Sequence, residues 1–215
     1  MNNKLDKIFR PATIAVIGAS NERHTVGYAL VNNLVGKGYN GTVYPVNLSE
    51  HSVQGVRCYH SIGEIEDGVD LALIATPAGS VAAVVKECGQ AGVGGAVIIS
   101  AGFSEAGEAG QALSGQVLAY ARKYNMRIVG PNCLGFINPS LNLNATFANR
   151  TALPGKIAFI SQSGALCTAI LDWARKQKVG FSHFVSIGDM IDIGFHDLID
   201  YFGHDPHTSS ILIYM

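Results

Sequence analysis

Ile157-Ala158-Phe159-Ile160-Ser161-Gln162-Ser163-Gly164 runs from a continuous apolar stretch into small hydroxyl residues and a glycine. The apolar half reads as a buried strand. Residues 165–176 follow with Leu166, Ile170 and Trp173 spaced for one face of a helix. A strand that turns into a helix through Ser161, Gln162, Ser163 and Gly164 leaves unpaired backbone N–H groups at the positive helix end, a seat for phosphate. Upstream, Ile14-Ala15-Val16-Ile17-Gly18-Ala19-Ser20 repeats the plan with a glycine turn. Two such seats in one chain predict an enzyme that handles two phosphorylated species.

From these two stretches the strand–helix alternation extends along the chain. Strands are predicted over 13–18, 42–46, 69–75, 95–100 and 127–129, and helices over 26–37, 80–91 and 107–125. A shorter helix is predicted from Ser61, where Ser-Ile-Gly-Glu makes a capping box ending at Glu64. Apolar strands without alternation are buried on both faces, so the sheet is parallel and covered by helices. Right-handed crossovers then give an α/β, Rossmann-like domain over residues 1–130. The stretch from Gly130 to Pro154, with three prolines, five asparagines and little periodicity, reads as an ordered connector over 131–154. Alternation resumes in 155–215, with strands over 156–161, 182–187 and 209–214 and helices over 165–176 and 194–202. Ile211-Leu212-Ile213-Tyr214 reads as a central strand, which at a terminus predicts a second domain cut short in a longer natural chain.

The bulk properties exclude several classes. The chain has 215 residues, 48% of them hydrophobic and 14% charged, with 25 glycines, which describes a packed α/β protein rather than a disordered one. A net charge of −1 offers no field for nucleic acid or an anionic membrane. Cys58, Cys88, Cys133 and Cys167 form no CxxC pair, which suits a reducing cytosol and no zinc ribbon. The polar start Met1-Asn2-Asn3-Lys4 is no signal peptide, and no apolar run reaches the roughly 20 residues of a membrane span. A cytoplasmic location is expected.

The strand ends carry the candidate ligand residues. Gly18, Ala19 and Ser20 sit where open α/β sheets bind ligands. The next glycine, Gly27, comes too late for the G-x-G-x-x-G turn, and the end of the second strand carries Asn47 instead of an acid for a ribose hydroxyl, so NAD is disfavoured. Thr76-Pro77-Ala78 and Ser100-Ala101-Gly102 end two later strands and would line the same crevice. Cys133, inside Gly130-Pro131-Asn132-Cys133-Leu134-Gly135, has no histidine near it in sequence and reads as a core thiol. His204 and His207 read as turn residues; Asp189, Asp192 and Asp197 follow a strand end and read as solvated loop acids, with a ring around an active site as the alternative. No metal is expected and no catalytic side chain is assigned.

Taken in order, Ile-Ala-Val-Ile-Gly-Ala-Ser, Gly-Pro-Asn-Cys-Leu-Gly and Ile-Ser-Gln-Ser-Gly-Ala-Leu resemble the α-subunit side of ADP-forming acyl-CoA synthetases, relatives of succinyl-CoA synthetase. The resemblance runs from about Phe9 to the last residue. It implies a coenzyme A-binding first domain and a truncated flavodoxin-like ligase domain. In that family acid, CoA and ATP give acyl-CoA, ADP and phosphate through a phosphohistidine. Carried over, Gly18, Ala19, Ser20 and Gly27 would contact CoA, with Asn47 in the loop after the second strand. Thr76, Pro77, Ala78, Ser100, Ala101 and Gly102 would lie along its path, and Asn132 and Cys133 near the thiol. Ser161, Gln162, Ser163 and Gly164 would hold phosphate or phosphohistidine. Asn47-Leu48-Ser49-Glu50 lacks the lysine the family often places there for CoA phosphate. The phosphohistidine and the ATP-grasp region, which binds ADP with magnesium, are implied to lie in a later domain or a separate subunit, and an oligomer is expected. The chain alone is expected to bind without turnover. A second reading is the degenerate acetyl-CoA-sensing region of a protein lysine acetyltransferase.

Overall fold

The computed structural model describes residues 4–36 and 38–215; residues 1–3 of the polar start, and Lys37 at the expected end of a helix and in the glycine turn after it, lie outside the described residues. A short helix α1 (Asp6–Phe9) leads into β1 (Thr13–Ile17), α2 (Val26–Val35) and β2 (Thr42–Val46). A small ribbon of β3 (Ser52–Val53) and β4 (Val56–Arg57) precedes β5 (Leu71–Ile74), α3 (Ala78–Gln90), β6 (Gly95–Ile98), α4 (Glu108–Lys123) and β7 (Arg127–Val129). The first sheet has the order β2-β1-β5-β6-β7, all parallel. The chain builds outward from β1 to β2 and then crosses back to β5. The carboxyl ends of β1 and β5 therefore flank a topological switch point, where open α/β sheets form their ligand crevice.

Alternate residues of each strand serve opposite layers. Ala15, Ile17, Ala72 and Ile74 pack with Val81 and Val85 of α3 and Val117 and Ala121 of α4. Ile14, Val16, Leu71 and Leu73 share a different cluster with Leu30 and Leu34 of α2. The expected capping box does not form. Residues 62–64 make a single 3-10 turn without a cap from Ser61, because Glu64 instead accepts the His60 backbone N–H at 3.0 Å.

The stretch read as a connector is instead part of the second sheet. β8 (Gly135–Asn138) and β9 (Leu143–Thr146) form an antiparallel hairpin, and β8 pairs antiparallel with β11 (Gly180–Ser186). With β10 (Leu153–Ser161) and β12 (Ser210–Tyr214) the order is β12-β10-β11-β8-β9, a mixed sheet of five strands. Asparagines that read as loop formers are the buried fittings of this hairpin. Asn144 Oδ1 accepts from the Thr146 backbone and hydroxyl, and Asn33 of α2 donates to the Thr146 and Ala148 carbonyls. Helix α5 (Gly164–Lys176) covers one face through Cys167, Leu171 and Ala174 against Phe159, Phe181 and Phe184. Helix α6 (Phe195–Gly203) covers the other, in the same cluster as α2 and β1. One apolar core thus spans both sheets. The last strand, expected to be central, is the edge of the described sheet, pairing with β10, and alternates half-buried Ile211 and Ile213 with exposed Leu212 and Tyr214.

The loop acids read as solvated are cross-links. Asp192 and Asp197 grip Arg127 at 2.9 and 3.0 Å, and Asp189 accepts from the Ser104 hydroxyl at 2.6 Å. Helix α1 joins the halves as well. The Phe9 ring lies 5.1 Å from Phe136 and 5.3 Å from Phe202, and Arg10 reaches the buried Asp205 at 2.8 Å.

Beside this cluster, Asn138 donates to the Phe9 carbonyl and to His183 Nε2, while its Oδ1 accepts from Ser140. That fixes the amide orientation and leaves the His183 ring proton on Nδ1, facing Asp205 Oδ2 at 3.5 Å. Burial pushes His183 down to about 4 from its ordinary 6.5, against the pull of Asp205. A histidine held below its ordinary value stays neutral in the fold while the unfolded chain takes up protons. Stability is therefore complete above pH 6.5 and is lost as pH falls toward 4, by about 3 kcal/mol at the lower end. Thermal melts from pH 7.5 to 4.5 are expected to show this decline, and His183→Gln should flatten it. An equal slope in the variant would overturn the assignment.

Candidate functional site

Gly18 closes β1 with φ of +89°, and a β-carbon there would stand 2.7 Å from the Ala75 carbonyl oxygen at the end of β5. Only glycine lets the two strand ends approach so closely in this conformation. Helix α2 then starts on top of the turn. Thr25 caps it by accepting the Tyr28 N–H at 3.2 Å, and any side chain at Gly27 would run into the Gly18 carbonyl. Asn47, after β2, donates to the Ala19 carbonyl at 2.8 Å and accepts from the backbone of Ser49 and Glu50, so its amide ties two loops together.

Two cavities meet over this floor. One, of about 770 Å³, is lined by Gly18, Ala19, Ser20, Gly27, Asn47, Thr76 and Pro77, with apolar walls from Val46, Ile62 and Val84. The other, of about 840 Å³, is lined by Ser100, Ala101, Asn132, Cys133, Gln162, Ser163 and Gly164. Both include Val26, Ala75, Thr76 and Pro77, so they form one crevice that bends over the Thr76-Pro77 ridge. The hydroxyl of Thr76 is buried at this bend without a hydrogen-bond partner. A buried hydroxyl left in that state is destabilising unless a ligand completes it.

The junction of β10 and α5 has the strand-to-capped-helix form read from its sequence. Ser163 Oγ accepts the Leu166 N–H at 3.2 Å and caps α5, and Ser161 Oγ accepts the Ser163 N–H at 3.0 Å from behind. Three residues read as ligand contacts do not line the crevice. Ser161 is fully buried, Ala78 is the first residue of α3, and Gly102 gives its N–H to the Glu105 carboxylate at 2.6 Å. Cys133 donates to the Ile98 carbonyl, and burial pushes its thiol up to about 12, so no thiolate forms at neutral pH. Among the described residues no other ionisable side chain lines the larger cavity. Sequence reasoning missed Phe147, which enters the larger cavity from the end of β9, and Thr168 of α5. Phe147 is hidden in sequence because the segment of β9 that delivers it reads as a connector; Thr168 carries a signal, lying one turn past Gly164.

Among the described residues no group of three or more His, Cys, Asp or Glu is placed to hold a metal ion, and no helix is long and apolar enough to cross a membrane. Fold and crevice together define an α/β protein with one extended crevice running from a glycine turn to the capped N-terminus of α5.

Residues 12–139 match the family described as CoA binding domain, and 154–215 match the succinyl-CoA ligase like flavodoxin domain. The chain belongs to the CoA binding domain family. It is 46% identical to the acetate–CoA ligase [ADP-forming] I subunit alpha of Pyrococcus furiosus over 98% of its own length and 46% of that protein's. Against the acetate–CoA ligase [ADP-forming] of Methanocaldococcus jannaschii it is 46% identical over 99% of its length and 30% of the relative's. The Candidatus Korarchaeum cryptofilum dinucleotide forming acetyl-coenzyme A synthetase 1, solved with phosphate and ADP, superposes with a TM-score of 0.95 at 40% identity, covering all of this chain and 46% of that one. The chain spans less than half the length of these relatives.

Proposed function

We propose that this chain is the coenzyme A-binding and partial ligase portion of an ADP-forming acyl-CoA synthetase. The observation that carries the reading is the single crevice joining the glycine turn to the capped phosphate seat, with the unpartnered Thr76 hydroxyl at its bend. The apolar walls beside Val46 and Ile62 suit an adenine ring. The N–H groups opening α2 suit the pyrophosphate, and Thr76 suits an amide of the pantetheine arm. The thiol end then points toward Cys133 and Ser163, where the N–H groups opening α5 suit phosphate or a phosphohistidine brought by another region.

Coenzyme A supplies the thiol that accepts the acyl group. This chain's own residues bind and orient: Gly18 and Gly27 give the backbone close approach, Phe147 and Leu134 shield the thiol end from water, and Ser163 fixes the α5 N-terminus. Among the described residues, Cys133, with its thiol pushed up to about 12, is the one ionisable side chain lining the thiol end of the crevice, so the phosphoryl and acyl transfers are assigned to groups outside this chain. The ADP and magnesium site, the phosphorylated histidine and the partner region or subunit belong to that outside part.

Parallel calorimetric titrations with coenzyme A, acetyl-CoA and NAD test the reading. Binding of the CoA compounds without NAD is expected. NAD binding in their place would sink it, and a preference for acetyl-CoA over free coenzyme A would favour an acetyl-CoA sensor.

A further inference from the structure

We propose that the adenosine end of the crevice recognises its ligand without using the 3′-phosphate, so that 3′-dephospho-coenzyme A binds this chain about as tightly as coenzyme A. The proposal rests on the reading of the crevice as a coenzyme A site.

The smaller cavity, over β1 and β2, is the adenosine end because the other end runs to the anion seat at Ser163. Its outer lip is the loop Asn47-Leu48-Ser49, and apart from His60 and Glu87 its remaining walls are apolar or carry neutral hydroxyls. Among the described residues no lysine or arginine lines it, and its ionisable side chains are His60 and Glu87. His60 is engaged through Nδ1 with the Asn47 carbonyl at 3.2 Å and through its backbone N–H with Glu64. Two further acids bound the neighbourhood: Glu64 on the His60 backbone and Glu50, which accepts from Asn21 at 2.9 Å. Arg57 lies over the Tyr59 ring at 5.0 Å from its centroid. Arg23 and His24 are absent from its lining; they line an adjoining cavity along α2 that shares Thr25 and Val26 with it and lies on the side away from the Asn47-Leu48-Ser49 lip.

A ribose 3′-phosphate brings up to two negative charges to a wall that Glu87 lines and Glu64 and Glu50 border. With no lysine or arginine in the lining to receive it, the group keeps its water and adds nothing to affinity. The pyrophosphate differs, since the amides and dipole at the start of α2 receive it. Discrimination at this end therefore falls on the adenine ring and the ribose hydroxyls.

The test compares coenzyme A and 3′-dephospho-coenzyme A by calorimetry on this chain and on Leu48→Lys and Ser49→Lys. Leu48 is 90% exposed, and the Ser49 hydroxyl donates to Asn47, so both lysines can be carried without disturbing the core. In the parent the two dissociation constants are expected within about threefold, and each lysine should open a preference for coenzyme A of about tenfold. A parent that binds dephospho-coenzyme A tenfold or more weakly overturns the proposal while the coenzyme A reading stands. Lysines that leave the ratio unchanged overturn the placement of the adenosine end in this cavity. A parent that binds neither compound overturns the underlying reading along with the proposal.

Discussion

Gly18→Ala is expected to weaken coenzyme A binding by at least about 100-fold. The residue has φ of +89°, which an L side chain occupies at a cost of about 1–2 kcal/mol. The added methyl would also stand 2.7 Å from the Ala75 carbonyl oxygen and 3.2 Å from Thr76 Cγ2. Both are backbone or β-branched neighbours that cannot swing away, so the turn itself must move. It forms the floor of the crevice on one side of the Thr76 ridge and supports the first turn of α2 through Gly27. A lower melting temperature should accompany the lost affinity, which circular dichroism separates from unfolding at the assay temperature. A folded variant with affinity within twofold of the parent would remove Gly18 from the site.

The second large effect belongs to Asp205, far from the crevice. Its side chain is 3% exposed and accepts from Arg10 at 2.8 Å, from the Thr208 hydroxyl at 2.9 Å and from the His207 backbone at 3.3 Å. Burial works against its charge, but the bonds from Thr208 and His207 and the nearby Arg10 hold the carboxyl below its usual range. Asp205→Ala removes the acceptor that α1, β11 and the loop before β12 share. The expected loss is about 3 kcal/mol, which for a chain of this size lowers the melting temperature by about 10 °C. Arg10→Gln should cost only about 1 kcal/mol, since its side chain is already 41% exposed. Melting of Asp205→Ala within about 2 °C of the parent would show that the network contributes nothing.

Much of this was legible from local chemistry. The parallel strands of the first sheet are short apolar runs closed by turn residues, and each falls close to where its pattern placed it. The Ser163 cap of α5 was readable because a cap and a strand end are local features. Positions lining the crevice such as Gly18 and Thr76 followed from one topological rule about strand ends, whereas Asn132 came only with the family resemblance. What stayed hidden depended on distant partners. Asn138 and Asn144 look like loop residues until His183, Phe9 and Thr146 meet their amides and carbonyls. Ser61 offers a cap that Glu64 never completes, because the His60 N–H takes its carboxylate. Asp192 and Asp197 look solvated until Arg127, more than 60 residues earlier, comes between them.

The apolar core that continues from β1 and α2 into β10, β11 and α6 also bears on how a ligand is received. Two halves that share one apolar core can move against each other only by exposing it to water. The crevice is therefore present at full width before the ligand arrives. Its loops are already tied by Asn47 and Asp189, so little chain entropy is surrendered on capture. Binding should be fast and single-phased in stopped-flow traces, with a rate rising linearly with ligand concentration. A slower second phase in those traces would instead mean that the crevice loops rearrange after the ligand has entered.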